Sequence, residues 1–255
     1  CLRAFTRYVC LRFGSVTDKG LIRLRNEDSY HIFSNDGQFP LVFILADGMG
    51  GHKMGELASK LAVEYVTERL QDSMENMNSI PRIKYILQDI SEKANVKVYL
   101  ESLAANENTG MGTTLTVGVI YDDTLIVSHV GDCRLYVLRK NQLMRITVDH
   151  TLIQELIDSG RITPSQGMVH PKRHILTKAL GVPEYLSPDI YVLGLNKNDK
   201  ILMSSDGLHG YVPDNIIKTI LKRRNDPAEI AHMLVERALK TGGEDNVTVI
   251  VGEYS

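Results

Sequence analysis

Acidic residues at four distant points of the chain could together form a metal centre. They lie in residues 23–28, 47–52, 205–207 and 244–246, each time beside glycine, asparagine or another acid. Ligand sets made of oxygen alone suit hard divalent cations such as Mg²⁺ and Mn²⁺, whereas zinc or copper sites need His and Cys at short spacing. The pattern therefore predicts metal-assisted hydrolysis.

Two of these segments place an Asp-Gly pair directly after an apolar run. Asp47 follows residues 41–46, and Asp206 follows residues 201–205. Carboxylates at strand ends can converge on two cations that share one water molecule. The cations activate this water for attack on phosphorus. Either pair alone is also compatible with an ordinary turn. Together they favour a binuclear centre.

Arg23 is a candidate phosphate ligand, because it lies just upstream of the acids Glu27 and Asp28. Its planar guanidinium offers paired N–H donors that match a phosphate dianion held beside metals. The alternative interpretation is a solvated surface arginine.

Composition excludes several classes of partner. A length of 255 residues fits one domain, and a formal net charge of −2 gives no global attraction to nucleic acid or an anionic membrane. The longest apolar stretch, residues 40–46, is far shorter than the roughly 20 residues of a membrane-spanning helix. We therefore expect neither a nucleic-acid nor a membrane partner.

The cysteines indicate the cellular compartment, and the first residues indicate where the folded domain begins. Cys1, Cys10 and Cys133 form no C-x-x-C pair, which indicates a reducing compartment and hence the cytoplasm. Residues 1–10 resemble neither a signal peptide nor a domain start, so we interpret them as a truncated or expression-derived leader. Residues 11–255 are then the folded domain.

The periodicity of apolar residues predicts antiparallel sheets covered by helices. Helical patterns occupy residues 52–74, 83–98, 213–221 and 226–242, and residues 149–181 are predicted to be a flap beside the site. Runs typical of strands occur at residues 11–16, 29–34, 41–46, 114–120, 125–130, 134–138, 191–195, 201–203 and 246–252. Strands in runs, followed by paired helices, favour an α+β fold over alternating βαβ units.

Further short motifs follow one another in a fixed order along the chain. They include Thr17-Asp18-Lys19-Gly20, Arg23-x-x-Asn26-Glu27-Asp28, Ala46-Asp47-Gly48-Met49-Gly50-Gly51-His52, Gly112-Thr113-Thr114, Gly131-Asp132-Cys133-Arg134, Ser205-Asp206-Gly207-Leu208 and Gly243-Glu244-Asp245-Asn246. With these motifs, residues 13–252 resemble the metal-dependent Ser/Thr protein phosphatases of the PP2C (PPM) type, particularly the single-domain bacterial members. The resemblance implies an αββα sandwich of two antiparallel sheets flanked by helix pairs.

The resemblance also implies two Mn²⁺ or Mg²⁺ ions and their ligands. In the family pattern Asp47 bridges both ions, and Asp206 and Asp245 complete the first. Glu27 and the carbonyl of Gly48 bind the second.

Three further roles follow from the same resemblance. Asp28 is expected to orient the metal-bound water, and Arg23 to hold the phosphate. Asp132 matches a carboxylate for a third, weaker metal that it shares with Asp206, although an Asp after Gly at a strand turn has a plain structural explanation too.

The implied reaction is hydrolysis of phosphoserine and phosphothreonine in proteins by a metal-bridged hydroxide. The expected partners are phosphorylated proteins, namely a bacterial Ser/Thr kinase and its substrates, and we expect a monomer. One alternative is a stress-response phosphatase of the same fold, but such relatives generally lack the phosphate arginine that Arg23 supplies. A second alternative, a pseudophosphatase, predicts broken ligands, and none of the expected metal-binding acids is replaced.

Some positions depart from the family pattern. Met49 stands where animal members have a general-acid His, and His52 is not its equivalent, so the general acid stays open. Cys133 stands where Ser is commoner; its oxidation is one hypothesis and a buried strand residue is the other. His174 and Lys178 occupy places where Asn and Arg are expected.

Overall fold

The computed structural model describes residues 11–35, 38–50, 53–104 and 110–254. The leader predicted at residues 1–10 and the side chain of His52 lie outside the described residues. Among the helices in the described ranges, none is both long enough and apolar enough to cross a membrane.

The strands of the described chain form two antiparallel sheets. From edge to edge, the first sheet contains β1 (Leu11–Asp18), β11 (Val247–Tyr254), β10 (Asp199–Ser204), β7 (Arg134–Arg139) and β8 (Gln142–Arg145). The second contains β2 (Asp28–Asn35), β3 (Gln38–Met49), β5 (Leu115–Tyr121), β6 (Thr124–Val130) and β9 (Asp189–Gly194), with β4 (Gly112–Thr113) paired to β3.

Helices cover the outer face of each sheet. The long pair α1 (Lys53–Asp72) and α2 (Ile80–Ala104), joined by a short 3-10 helix at Met74–Asn76, packs on the second sheet. The pair α6 (Asp214–Leu221) and α7 (Pro227–Lys240) packs on the first sheet. The predicted four-layer α+β sandwich is therefore confirmed.

Strand β3 shows how alternating side chains serve two cores. Val42 and Ile44 pack with residues of α1 and α2, whereas Phe43 and Leu45 belong to the core between the two sheets. This period of two is what a strand buried on both faces requires. Residues 42–46 are accordingly at most 1% exposed.

Local chemistry explains the tight turns and the start of α7. Asp122, between β5 and β6, and Lys140, between β7 and β8, adopt left-handed φ values of 52° and 56°, as hairpin turns require. Asp226 caps α7 by accepting a hydrogen bond from the Ala228 amide at 3.0 Å, with Pro227 as the first helical residue. The helical pattern predicted at residues 226–242 corresponds to α7.

The flap contains one element that was not predicted. Besides α3 (Leu152–Asp158) it holds α4 (Pro164–Met168), where Thr163 and Gln166 form a capping box. No helix was predicted at Thr163-Pro164 within the flap. The ends of the flap are tied together by pairing between Thr151 and Leu176. Outside the flap, the short helix α5 (Asp206–His209) directly follows β10.

Candidate active site

A cavity of about 840 Å³ opens at the end of the sandwich where β3 and β10 end and β11 begins. Seven of the eight predicted site residues line it: Arg23, Glu27, Asp47, Gly48, Asp132, Asp206 and Asp245. The antiparallel topology accounts for this convergence, because the start of β2 lies beside the end of β3, with Asp28 opposite Asp47. Asp28 is the exception, because it is buried and is not among the residues that line this cavity.

Backbone contacts hold Asp47 in place. Its amide donates to Thr114 Oγ1 at 2.8 Å, and its carbonyl accepts from Thr113 Oγ1 and the Thr114 amide, both at 2.9 Å. The next residue must be glycine, because a Cβ on Gly48 would lie 2.0 Å from the Gly55 carbonyl oxygen. Only glycine lets β3 pass so close to α1.

Asp206 reaches the same cavity by a different local structure. Asp47 lies inside β3, but Asp206 is the first residue of α5, after Ser205 at its N-cap. Gly207 is needed for close contact, since a Cβ there would lie 1.9 Å from the Asn246 carbonyl oxygen. The two Asp-Gly pairs are therefore alike in sequence and different in backbone.

Asp28 is buried beneath these acids and half of its carboxylate is satisfied. Its Oδ2 accepts hydrogen bonds from Ser205 Oγ and Thr248 Oγ1, each at 2.7 Å. Its Oδ1 has no hydrogen-bond partner among the described residues. Burial raises the pKa of Asp28 to about 7 despite the two hydroxyl donors.

Negative charge is crowded around the cavity. Burial, followed by repulsion from neighbouring acids, raises the pKa of Asp47 and of Asp132 well above the ordinary range. The same causes raise the pKa of Asp245, although Arg23 opposes them. Burial acts in the same direction on Asp206, but the pKa of Asp206 is lowered because His174, His209 and Arg23 together outweigh burial.

Two cationic or titratable groups reach these acids from the rim. Arg23 Nη2 lies 2.9 Å from Asp245 Oδ2, and His174 Nδ1 lies 3.6 Å from Asp206 Oδ2. The flap residue His174 is thus a cavity residue. Lys178 is not, because its Nζ donates to Asp189 Oδ1 and to the Ser187 carbonyl, both at 3.1 Å.

The donor chemistry of the cavity fits hard cations, although the ligand shell is not closed. Within residues 11–35, 38–50, 53–104 and 110–254, no three His, Cys, Asp or Glu side chains are grouped tightly enough to hold an ion by themselves. Arg23 and His174 instead contact two of the acids, Asp245 and Asp206. The cavity nevertheless offers carboxylate oxygens, which hard cations prefer as ligands. Bound cations would offset the repulsion that raises the pKa of Asp47 and of Asp132, and Oδ1 of Asp28 has no hydrogen-bond partner among the described residues.

Sequence analysis did not identify the role of Asn246. Its Oδ1 accepts from the Glu27 amide at 2.8 Å, and its Nδ2 donates to the carbonyls of Lys19 and Arg25, also at 2.8 Å. One buried amide therefore holds the segment that carries Arg23 and Glu27. The motif containing Asn246 was visible in the sequence, but its contacts span more than 200 residues.

Cys133 is placed as a packing residue. Its side chain is 0% exposed and its Sγ lies 3.2 Å from Thr114 Oγ1. Burial raises the pKa of the thiol, which disfavours the reactive thiolate. These contacts favour a buried packing role over the oxidation hypothesis, although Cys133 lies directly before β7 and not within a strand.

Comparisons with known proteins agree with this architecture. A family model described as protein phosphatase 2C matches residues 23–241. The Serine/threonine phosphatase stp of Listeria monocytogenes serotype 4b is 36% identical over 237 residues, which cover 93% of each chain. The Mycobacterium tuberculosis protein PstP is 37% identical over 245 residues, 95% of this chain and 45% of that one.

Solved structures extend the similarity to three dimensions. The S. agalactiae serine/threonine phosphatase superposes with a TM-score of 0.89 at 31% identity, covering 95% of this chain and 99% of that one. The catalytic domain of PstP in complex with 2 manganese ions superposes with a TM-score of 0.82 at 35% identity, covering 96% and 98%. By sequence and by fold, the chain belongs to the protein phosphatase 2C family.

Proposed function

We propose that this chain is a Mn²⁺- or Mg²⁺-dependent phosphatase that hydrolyses phosphoserine and phosphothreonine in proteins. The observation that carries the proposal is a single cavity in which Asp47, Asp132, Asp206 and Asp245 meet beside Arg23. Relatives named serine/threonine phosphatase, and a similar structure that contains manganese, support it.

The same acids would hold the cations. We assign Asp47 to both ions of a pair, Asp206 and Asp245 to the first, and Glu27 with the carbonyl of Gly48 to the second. When bound, the cations supply Lewis acidity, which activates water and offsets the charge of the phosphate.

A third, weaker ion would use Asp132 together with Asp206. Both side chains line the cavity, and their mutual repulsion contributes to the raised pKa of Asp132. A further cation between them would relieve that repulsion.

The remaining roles fall to Arg23 and Asp28. Arg23 would bind the phosphate with its N–H donors, for which its position on the cavity wall is suitable. Asp28 would orient the attacking water with Oδ1, because Ser205 and Thr248 already occupy Oδ2.

The cellular setting is part of the proposal. We infer that residues 11–255 act as one monomeric, cytoplasmic phosphatase domain. Its partners would be a Ser/Thr kinase of the same cell and the substrates of that kinase, because removal of phosphate must oppose a phosphorylating enzyme.

Hydrolysis of a phosphothreonine peptide tests the proposal. We expect turnover with Mn²⁺, loss of turnover with excess EDTA, and recovery when Mn²⁺ is restored. Asp206→Asn should abolish turnover, whereas the exposed surface variant Asp72→Asn should match the wild type. Full activity in EDTA, or in Asp206→Asn, would contradict the metal-dependent mechanism.

A further inference from the structure

The rim of the cavity is apolar on both sides of Arg23. Ile22 and Leu24 line the cavity together with Arg23, and they are 67% and 82% exposed. Single exposed aliphatic side chains are normal on a protein surface, but neighbouring ones at the mouth of a cavity mark a contact surface.

The loop that carries these side chains is fixed before any ligand binds. The Asn246 amide group binds the carbonyls of Lys19 and Arg25, both at 2.8 Å, and so holds the two ends of the loop together. Between them, the Leu21 amide donates to the Gly243 carbonyl at 2.7 Å. A loop already ordered in this way loses little conformational entropy when a ligand packs against it.

The next basic residue of the loop is paired within the protein, while Arg173 and Glu244 also line the cavity. Arg25, the next basic residue of the loop, has Nη1 3.1 Å from Glu56 Oε2 on α1. Its charge is therefore already partnered within the protein. On the wall formed by the flap, Leu176 adds another aliphatic side chain to the cavity lining.

We propose that Ile22 and Leu24 select phosphoprotein segments with large aliphatic residues two positions before and after the phosphorylated Ser or Thr. The inference rests on the proposed function, since it places the phosphate at Arg23. In an extended segment, side chains two residues apart share one face and lie about 7 Å apart. They would therefore contact the side chains on either side of Arg23.

Two phosphothreonine peptides test the selection, one with leucine and one with serine at both of these positions. For the wild type with Mn²⁺, we expect kcat/KM to favour the leucine peptide by roughly 10-fold, the scale of one well-buried aliphatic contact. In the double variant Ile22→Ser/Leu24→Ser, the ratio should fall to within about twofold of unity. Leu103→Ser, an exposed leucine on α2, should keep the wild-type ratio.

The outcomes separate this inference from the proposed function. If the wild type hydrolyses neither peptide, nor p-nitrophenyl phosphate, with Mn²⁺, the proposed function fails. If it hydrolyses both peptides equally well, or if the double variant keeps the preference, only the selection by Ile22 and Leu24 is overturned. If the double variant does not fold, Ile22→Ser and Leu24→Ser are tested singly, and each should lower the wild-type ratio.

Discussion

Two groups of buried acids in this protein have different charged neighbours. Asp149 accepts hydrogen bonds from Arg134 Nε at 3.0 Å and Nη2 at 2.6 Å, and Arg145 lies 3.4 Å away. Although burial opposes it, this pairing lowers the pKa of Asp149. The pKa values of Asp47 and Asp132 are instead raised, first by burial and then by repulsion from neighbouring acids.

The difference indicates that the acids at the cavity require positive charge from a bound ligand. Arg134 lies only two residues beyond Asp132, yet its guanidinium binds Asp149. Asp199 is paired in the same way with Arg139 at 2.6 Å. Since the fold neutralises structural acids with arginine, the excess negative charge at the cavity is a feature that bound cations would balance.

The largest expected effect is on activity, for Asp47→Asn. Loss of the acid assigned to both cations should lower kcat by at least about 100-fold. In EDTA, the same change should raise the free energy of unfolding by roughly 1 kcal/mol, because a repelled buried charge is removed. Steady-state kinetics and urea unfolding would measure the two effects. A kcat near that of the wild type would contradict the assignment.

Removing the arginine partner of Asp149 should lower the free energy of unfolding, the opposite of the effect expected for Asp47→Asn. Arg134→Met leaves Asp149 buried without its main partner, so we expect a loss of about 3 kcal/mol in the free energy of unfolding. Arg69→Met removes an exposed arginine near Asp72 and should cost less than about 0.5 kcal/mol. If the two variants unfold at the same urea concentration, the contrast drawn between the two groups of acids is wrong.

The stability of the metal-free protein should depend on pH. Asp28, with a pKa near 7 instead of its ordinary 3.8, is protonated more readily in the folded state. Its favourable contribution is therefore complete below about pH 4 and is lost as the pH rises through about 7. We expect at least about 1 kcal/mol of stability to be lost between pH 5 and pH 8 in EDTA.

Thermal unfolding from pH 5 to pH 8 checks this prediction. Saturating Mn²⁺ should reduce the decline, and Asp28→Asn should flatten it in EDTA. The pair of Arg134 and Asp149 should contribute nothing to the slope in this window, because the pKa of Asp149 is lowered and its stabilisation is lost only on stronger acidification. A metal-free protein that becomes more stable towards pH 8 would contradict the prediction.

A small effect on stability is expected for Arg23→Ala. Its contact with Asp245 is half exposed, so stability should change by less than about 1 kcal/mol. KM for a phosphopeptide should rise by roughly 10-fold with a smaller change in kcat, since a charge-assisted phosphate contact is lost. An unchanged KM would contradict the phosphate-binding role, and a large loss of stability would make Arg23 resemble Arg134.

Sequence patterns predicted the layers and seven of the residues that line the cavity, because these depend on local periodicity and on short motifs. The strand before Asp47 and helix α7 are examples. The contacts of Asn246 and the burial of Asp28 depend on distant segments meeting and have no local signature. Helix α4 was missed although its signal was present, since Thr163 and Gln166 have the spacing of a capping box.

Calorimetric titration of Mn²⁺ into EDTA-stripped, dialysed protein tests the central claim most directly. If the cavity acids are balanced by cations, the wild type should bind two ions per chain, with a third only at higher concentration. Asp47→Asn should lose this binding, and Asp72→Asn should retain it. Absence of binding by the wild type at millimolar Mn²⁺, or the same binding by Asp47→Asn, would contradict the account.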